Sequence, residues 1–197
     1  MGKYNLRVGQ LNLQGAQVAS RELNMIAKDR ELNVVAVQEQ YQSENICYMQ
    51  NSQKSEAAIL VFNTKLAITF LSEISNDYCC CIHLQIGNFD FYLVSAYFKY
   101  SHDIEPHLLQ IERILERLKG KRIIICADTN VHSLLWFSET RQYVGRGHEA
   151  EERRTMLENL IAQHALIIHN VEGQPATFSG PAGSSNIDVT LSTGVYE

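Results

Sequence analysis

The stretch that most constrains the fold is residues 122–132, Arg-Ile-Ile-Ile-Cys-Ala-Asp-Thr-Asn-Val-His. Its first half is a run of β-branched and apolar residues, the pattern of a strand buried on both faces. Asp128 and Asn130 follow where such a strand should end. A strand fixes the side chains at its end and the loop exposes them, so functional residues are often placed there. Both residues are also common turn formers, and this stretch alone leaves that simpler interpretation open.

Polar residues also close two earlier predicted strands. Residues 4–13 and 33–38 read as strands with a helix at residues 20–30 between them, which favours parallel pairing. Asn12 and Glu39 should then emerge at the same edge of a sheet. Glu39 suits a hard cation better than it suits packing, although a solvated strand-end carboxylate is the alternative.

Tyr97 and Asp188 are two further candidates. Residues 78–86 and 89–98 are predicted strands joined by a tight hairpin, and the second places the Tyr97 phenol near its end. An aromatic residue there is equally compatible with the core. Asp188 is flanked by apolar residues in a predicted strand, where a carboxylate needs a histidine, a cation or several N–H groups as partner.

A basic loop punctuated by glycine occupies residues 141–147. Arg141, Tyr143 and Arg146 there suit contact with a phosphate backbone, and an ordinary solvated loop is the alternative. Helical spacing of apolar residues predicts helices before the 122–132 stretch and at residues 149–164.

Composition sets the remaining bounds. The chain has 197 residues and reads as one domain with a full core. Its net charge of −5 argues against a protein that coats nucleic acid non-specifically. A nuclease stays possible, because clustered carboxylates make a chain acidic and a bound divalent cation changes the local sign. The five cysteines read as buried free thiols, and no apolar run is long enough to span a membrane, so we expect no membrane partner.

Five segments in order form a pattern that resembles a known family. They are Gln10-Leu-Asn-Leu-Gln14, Gln38-Glu39, Ser95-Ala96-Tyr97, Asp128-x-Asn130 and Ser185-x-Ile-Asp188-x-Thr190. Together they are similar to the endonuclease/exonuclease/phosphatase family, which includes apurinic endonucleases and pancreatic deoxyribonuclease. The sequences of these motifs most resemble those of the endonuclease domains of non-LTR retrotransposons, in particular the insect elements that insert into ribosomal RNA genes. One departure is Ala127, where the family usually has glycine, and a small residue still fits there.

The resemblance implies an α/β (α+β) fold class: a four-layer α/β/β/α sandwich of two mixed sheets, with the collected strand ends lining one cleft. It implies a metal-dependent DNA endonuclease that acts on double-stranded DNA in the nucleus. The nick would leave a 3′-hydroxyl that primes reverse transcription, and the target would lie in ribosomal RNA genes. The natural polypeptide would be a longer polyprotein with a reverse transcriptase.

The resemblance also implies roles for single residues. Glu39, with Asn12 beside it, would hold Mg²⁺ or Mn²⁺. Asp128 would orient and deprotonate the attacking water, and Asn130 and Tyr97 would donate hydrogen bonds to the phosphate. Asp188 would orient a histidine. Thr177 and Ser185, near the last segment, are predicted to contact DNA together with Arg141, Tyr143 and Arg146.

Three other functions stay open on the sequence. An abasic-site repair endonuclease shares the catalytic set, and a phosphomonoesterase shares the fold. A DNA-binding module that has lost catalysis is the alternative from a different class. The Ser-Asp-His motif that supplies the partner of Asp188 in the family does not occur before Glu197. We therefore expect the natural domain, residues 1–197 here, to continue through one more strand that carries it.

Overall fold

The computed structural model describes residues 5–42, 46–87, 89–138, 147–180 and 183–194, without the side chains of residues 147, 148 and 180. The chain divides into two compact units, Met1–Tyr97 and Phe98–Glu197. Among the described residues, no helix has the length and apolar character that a membrane crossing requires.

The first unit contains one α-helix and six strands within its described residues. In chain order they are β1 (Val8–Asn12), α1 (Gln17–Asp29), β2 (Val34–Gln38), β3 (Ala57–Val61), β4 (Ala67–Phe70), β5 (Cys79–Ile86) and β6 (Phe89–Tyr97). Strand β1 is parallel to β2, and β3 is antiparallel to β2. Strands β4, β5 and β6 form an antiparallel meander. The predicted parallel pairing of the first two strands is confirmed.

Strand β2 is buried along its whole length because both of its faces are covered. On one face, Val35 and Val37 join a core cluster with Leu23 of α1. On the other face β2 packs against β6. There the Gln38 side chain donates to the Ser95 hydroxyl over 2.9 Å, and that hydroxyl donates to the Val37 carbonyl over 2.9 Å. These bonds fix the end of β2 immediately before Glu39.

The second unit is built around β7, the predicted central strand. Its elements are α2 (Glu105–Arg117), β7 (Ile123–Asp128), α3 (Gly147–Gln163), β8 (Ile167–Ile168), β9 (Phe178–Gly180), β10 (Gly183–Ser185) and β11 (Asp188–Ser192). Strand β11 runs antiparallel to both β7 and β8, and β9 and β10 form a hairpin. Helices α2 and α3 contact each other. Ile111 and Leu115 lie on the buried face of α2, as helical spacing predicts.

Four of the five cysteines are buried, as the sequence indicates, and the prediction is wrong for Cys47. Cys79, Cys80, Cys81 and Cys126 are buried free thiols, and Cys47 is exposed. Burial raises the pKa of Cys81 and of Cys126 to about 12, so both stay protonated and unreactive at neutral pH. They contribute to the core as small apolar side chains.

Candidate functional site

Asn12 and Glu39 meet at the carboxyl ends of β1 and β2, as predicted. The register places Asn12 opposite Gln38. The Asn12 amide nitrogen donates to Glu39 Oε2 over 2.8 Å, and Asn12 Oδ1 accepts from the Gln14 amide over 2.7 Å. Asn12 thus orients the carboxylate and closes the turn that follows β1. Its predicted part as a metal ligand stays a prediction.

Glu39 has a left-handed backbone, with φ of 48°. A residue of this size rarely adopts that conformation, which costs about 1–2 kcal/mol. Backbone bonds hold it there: the Gly15 amide donates to the Glu39 carbonyl over 2.7 Å, and the Glu39 amide donates to the Glu56 carbonyl over 2.8 Å. Such strain is often found where a side chain must be aimed at a ligand.

The donor chemistry at Glu39 fits Mg²⁺ or Mn²⁺. Mg²⁺ binds through one or two carboxylates and keeps several waters, so it does not need a dense ligand cluster. Among the described residues, no group of three or more histidine, cysteine, aspartate or glutamate side chains could hold a metal ion.

Tyr97 is the last residue of β6 and is 6% exposed. Its backbone amide donates to the Tyr78 carbonyl over 2.9 Å. The burial is compatible with both interpretations that the sequence leaves open, core packing and a phenol held near a strand end.

Asp128 ends β7 and lies directly opposite Asp188, the first residue of β11. Asp128 is 2% exposed, and its Oδ1 accepts from the Asn130 amide over 3.1 Å. Asn130 has a left-handed φ of 50°, and its side chain donates to the Phe98 carbonyl over 3.2 Å. Directly opposed like charges destabilise a sheet. The register thus places two aspartates side by side where β7 ends and β11 begins, and their catalytic roles stay predictions.

The start of β11 is clamped by Thr177. The Thr177 hydroxyl accepts from the Ile187 and Asp188 amides, each over 3.2 Å, and donates to the Ser185 carbonyl over 3.4 Å. A threonine hydroxyl has one proton and two acceptor positions, so this set uses its full capacity. The geometry explains how Thr177 positions Asp188. DNA contact by Thr177 or by half-buried Ser185 stays a prediction, as does the orienting role of Asp188.

Three polar residues that the sequence did not single out organise the loop after β7. The Asn186 side chain donates to the Phe137 carbonyl over 3.1 Å and accepts from the Thr177 amide over 3.3 Å. The Ser133 hydroxyl donates to Glu158 of α3 and accepts from the Leu135 amide over 3.0 Å. Ser133 precedes a 3-10 helix at Leu134–Trp136, and a serine before a helix is a recognisable capping signal. The other partners are distant in sequence, and no local pattern indicates them.

His132, the histidine nearest Asn130 in sequence, is half-buried. Burial lowers the pKa of His132, which favours its neutral form at pH 7. Its Nδ1 lies 3.0 Å from the Ser138 hydroxyl. Arg141, Tyr143 and Arg146, the other predicted DNA contacts, lie outside the described residues.

The sequence is similar to that of a retrotransposon protein. The family model described as endonuclease-reverse transcriptase matches residues 91–196. The retrovirus-related Pol polyprotein from type-1 retrotransposable element R1 of Bradysia coprophila is 30% identical over 135 residues, 68% of this chain. The chain spans only 13% of the length of that relative.

Solved structures show the same fold. The endonuclease domain of TRAS1, a telomere-specific non-LTR retrotransposon, has a TM-score of 0.84 at 28% identity, covering 96% of this chain and 86% of that one. The AP endonuclease LMAP from Leishmania major has a TM-score of 0.70 at 10% identity, covering 96% of this chain and 79% of that one. An AP endonuclease from Archaeoglobus fulgidus has a TM-score of 0.64 at 14% identity, covering 96% and 87%. Because the two AP endonucleases are only 10% and 14% identical to this chain, their similarity shows the fold alone.

The fold is therefore that of the apurinic endonucleases, and the predicted α/β fold class is confirmed. This chain belongs to the endonuclease-reverse transcriptase family. It is an endonuclease domain of the non-LTR retrotransposon kind and hence a phosphodiester hydrolase.

Proposed function

We propose that this chain nicks double-stranded DNA in a reaction that depends on a divalent cation, and that the 3′-hydroxyl it leaves primes reverse transcription. The observation that carries the proposal is the Asn12–Glu39 pair. Glu39 lies at a strand end with a left-handed backbone, and the Asn12 amide donates to its carboxylate. Membership of the family supplies the class of reaction, and the Pol polyprotein relative supports a longer polypeptide that includes a reverse transcriptase.

The proposed chemistry follows from the charge of the phosphodiester. Glu39 would hold Mg²⁺, which neutralises charge that develops on the phosphate and on the leaving oxygen. Asp128 orients the attacking water and accepts its proton. Asn130 and Tyr97 donate hydrogen bonds to the non-bridging oxygens, and the buried strand ends keep these donors preorganised. Asp188 would orient a histidine that contacts the phosphate, and Thr177 would position Asp188 through its backbone amide.

Removal of the cation should stop the reaction. We expect EDTA to abolish the nicking of supercoiled plasmid and Mg²⁺ or Mn²⁺ to restore it. Glu39→Gln keeps the size of the side chain but removes its charge, so it should raise the Mg²⁺ concentration needed for half-maximal rate. The matched control is Glu56→Gln, which keeps the backbone carbonyl that accepts from the Glu39 amide. Full activity in EDTA would overturn the proposal.

The target is proposed from the resemblance to elements that insert into ribosomal RNA genes, and the site of action would be the nucleus. Sequencing of nicked ends on plasmids with and without a ribosomal RNA gene should show a dominant nick within that gene. A uniform distribution over both plasmids would exclude this target while leaving nicking itself intact. Preference for abasic duplex over intact duplex would instead identify a repair enzyme.

A further inference from the structure

The loop that follows β7 exposes three large apolar side chains. Leu134 is 72% exposed, Leu135 is 51% exposed and Phe137 is 42% exposed. With Trp136 they form the segment of residues 134–137, which we call the apolar loop. The proposed chemistry of Asp128 and Asn130 does not use these side chains.

Internal bonds hold this loop in one conformation. Trp136 is fully buried and its indole N–H donates to the Val131 carbonyl over 3.2 Å. The Ser133 carbonyl accepts from the Ser138 amide over 2.9 Å, and the Ser133 hydroxyl caps the turn. A loop anchored in this way cannot fold its neighbouring apolar side chains inward, so their exposure is built into the structure.

Phe137 also has a left-handed backbone, with φ of 58°. Glycine adopts this conformation without the steric penalty that a side chain brings. A strained aromatic residue that is kept at the surface is a feature expected of a contact site.

The position of the loop indicates what covers it. It continues directly from the β7 end that carries Asp128 and Asn130. The Phe137 carbonyl binds Asn186, which also binds Thr177, the residue that clamps Asp188. A protein bound on this loop would lie beside the strand ends to which the proposed function brings the phosphodiester. Such a protein would compete with DNA for this region. We therefore take the DNA substrate as the partner that covers the loop.

We propose that the apolar loop is a DNA-contacting wedge, with Phe137 and the two leucines packing against bases or sugars of the duplex beside the scissile phosphate. The inference rests on the proposed function, because it takes duplex DNA as the substrate. Apolar side chains that enter a groove contact or partly unstack base steps. Such contacts add affinity without phosphate neutralisation, which suits a chain with a net charge of −5.

The test separates the side chain from the backbone. Phe137→Gly removes both the ring and the strain, Phe137→Ala removes the ring only, and both keep the carbonyl that binds Asn186. Binding to a short mixed-sequence duplex in EDTA should weaken about tenfold in both variants, the order expected for one lost aromatic contact to bases. The melting temperature should rise or stay unchanged in Phe137→Gly. The salt dependence of binding should keep its slope, because no phosphate contact is lost.

Two further variants complete the experiment. Leu134→Ser with Leu135→Ser should weaken duplex binding in the same way. Phe89→Ser is the matched control: Phe89 is 53% exposed and lies at the opposite end of β6 from Tyr97, so duplex binding should not change.

Plasmid nicking by the wild-type chain, measured in parallel with Mg²⁺, separates the two proposals. Normal nicking with unchanged duplex affinity in the Phe137 variants would overturn the wedge alone. Absence of nicking by a folded wild-type chain would overturn the proposed function. A changed oligomeric state with unchanged duplex affinity would identify the loop as a protein interface and also overturn the wedge.

Discussion

Asp128→Asn should reduce the rate of plasmid nicking by about 10²–10⁴-fold, the usual contribution of a positioned general base. The amide keeps the shape of the side chain but cannot accept the proton of the attacking water. Folding should persist, since Asp128 ends its strand and the substitution removes one of two directly opposed carboxylates. The measurement is single-turnover nicking with saturating Mg²⁺, together with the melting temperature of each variant.

Asp103→Asn is the matched control, because Asp103 is an exposed aspartate of the same unit. Its nicking rate should equal that of the wild type. The double variant Glu39→Gln, Asp128→Asn should lose little more than Asp128→Asn alone, because residues that serve one reaction are not additive. A folded Asp128→Asn protein with wild-type turnover would contradict the assignment of the water-activating residue.

Trp136→Ala should produce the largest loss of stability among single substitutions in the loop after β7. Trp136 is fully buried and its indole N–H is hydrogen-bonded. Truncation of a buried tryptophan to alanine costs about 3–5 kcal/mol. For a chain of this size, that corresponds to a fall in melting temperature of roughly 6–20 °C.

Its neighbour Leu135 provides the control. Leu135→Ala removes an exposed side chain and should change the free energy of unfolding by less than about 0.5 kcal/mol. Urea unfolding of both variants gives the comparison. Equal unfolding midpoints would show that Trp136 does not anchor the apolar loop.

The strand ends were predictable because hydrophobic patterning sets strand boundaries and polar residues interrupt it. Residues 33–38 and 122–128 contain β2 and β7, with Glu39 and Asp128 at the predicted ends. The contact of Asn12 with Glu39 followed from parallel pairing alone. The apolar residues around Asp188 placed it in a strand, and the structure finds it half-buried at the first position of β11.

The remaining features depend on contacts that sequence patterns do not encode. Glu39 and Phe137 adopt positive φ without the glycine or asparagine that usually signals it. The Thr177 hydroxyl binds the Asp188 amide on the far side of the β9–β10 hairpin. The hydrogen bond between Ser133 and Glu158 joins residues 25 positions apart. Such partners are chosen by tertiary packing, so local propensity does not reveal them.

The rate at which a thiol reagent modifies the buried cysteines measures how often each compact unit opens. Cys79, Cys80 and Cys81 lie within β5 of the first unit, and Cys126 lies within β7 of the second. A thiol reagent can reach these sulfurs only when the strand that carries them has separated from its neighbours. Cys47 is exposed, so its modification gives the reference rate for a thiol that needs no opening of the structure. Labelling rates measured for each cysteine-containing peptide would therefore show whether the two units open together or independently. The same rates measured with bound duplex DNA would show whether DNA slows the opening of one unit or of both.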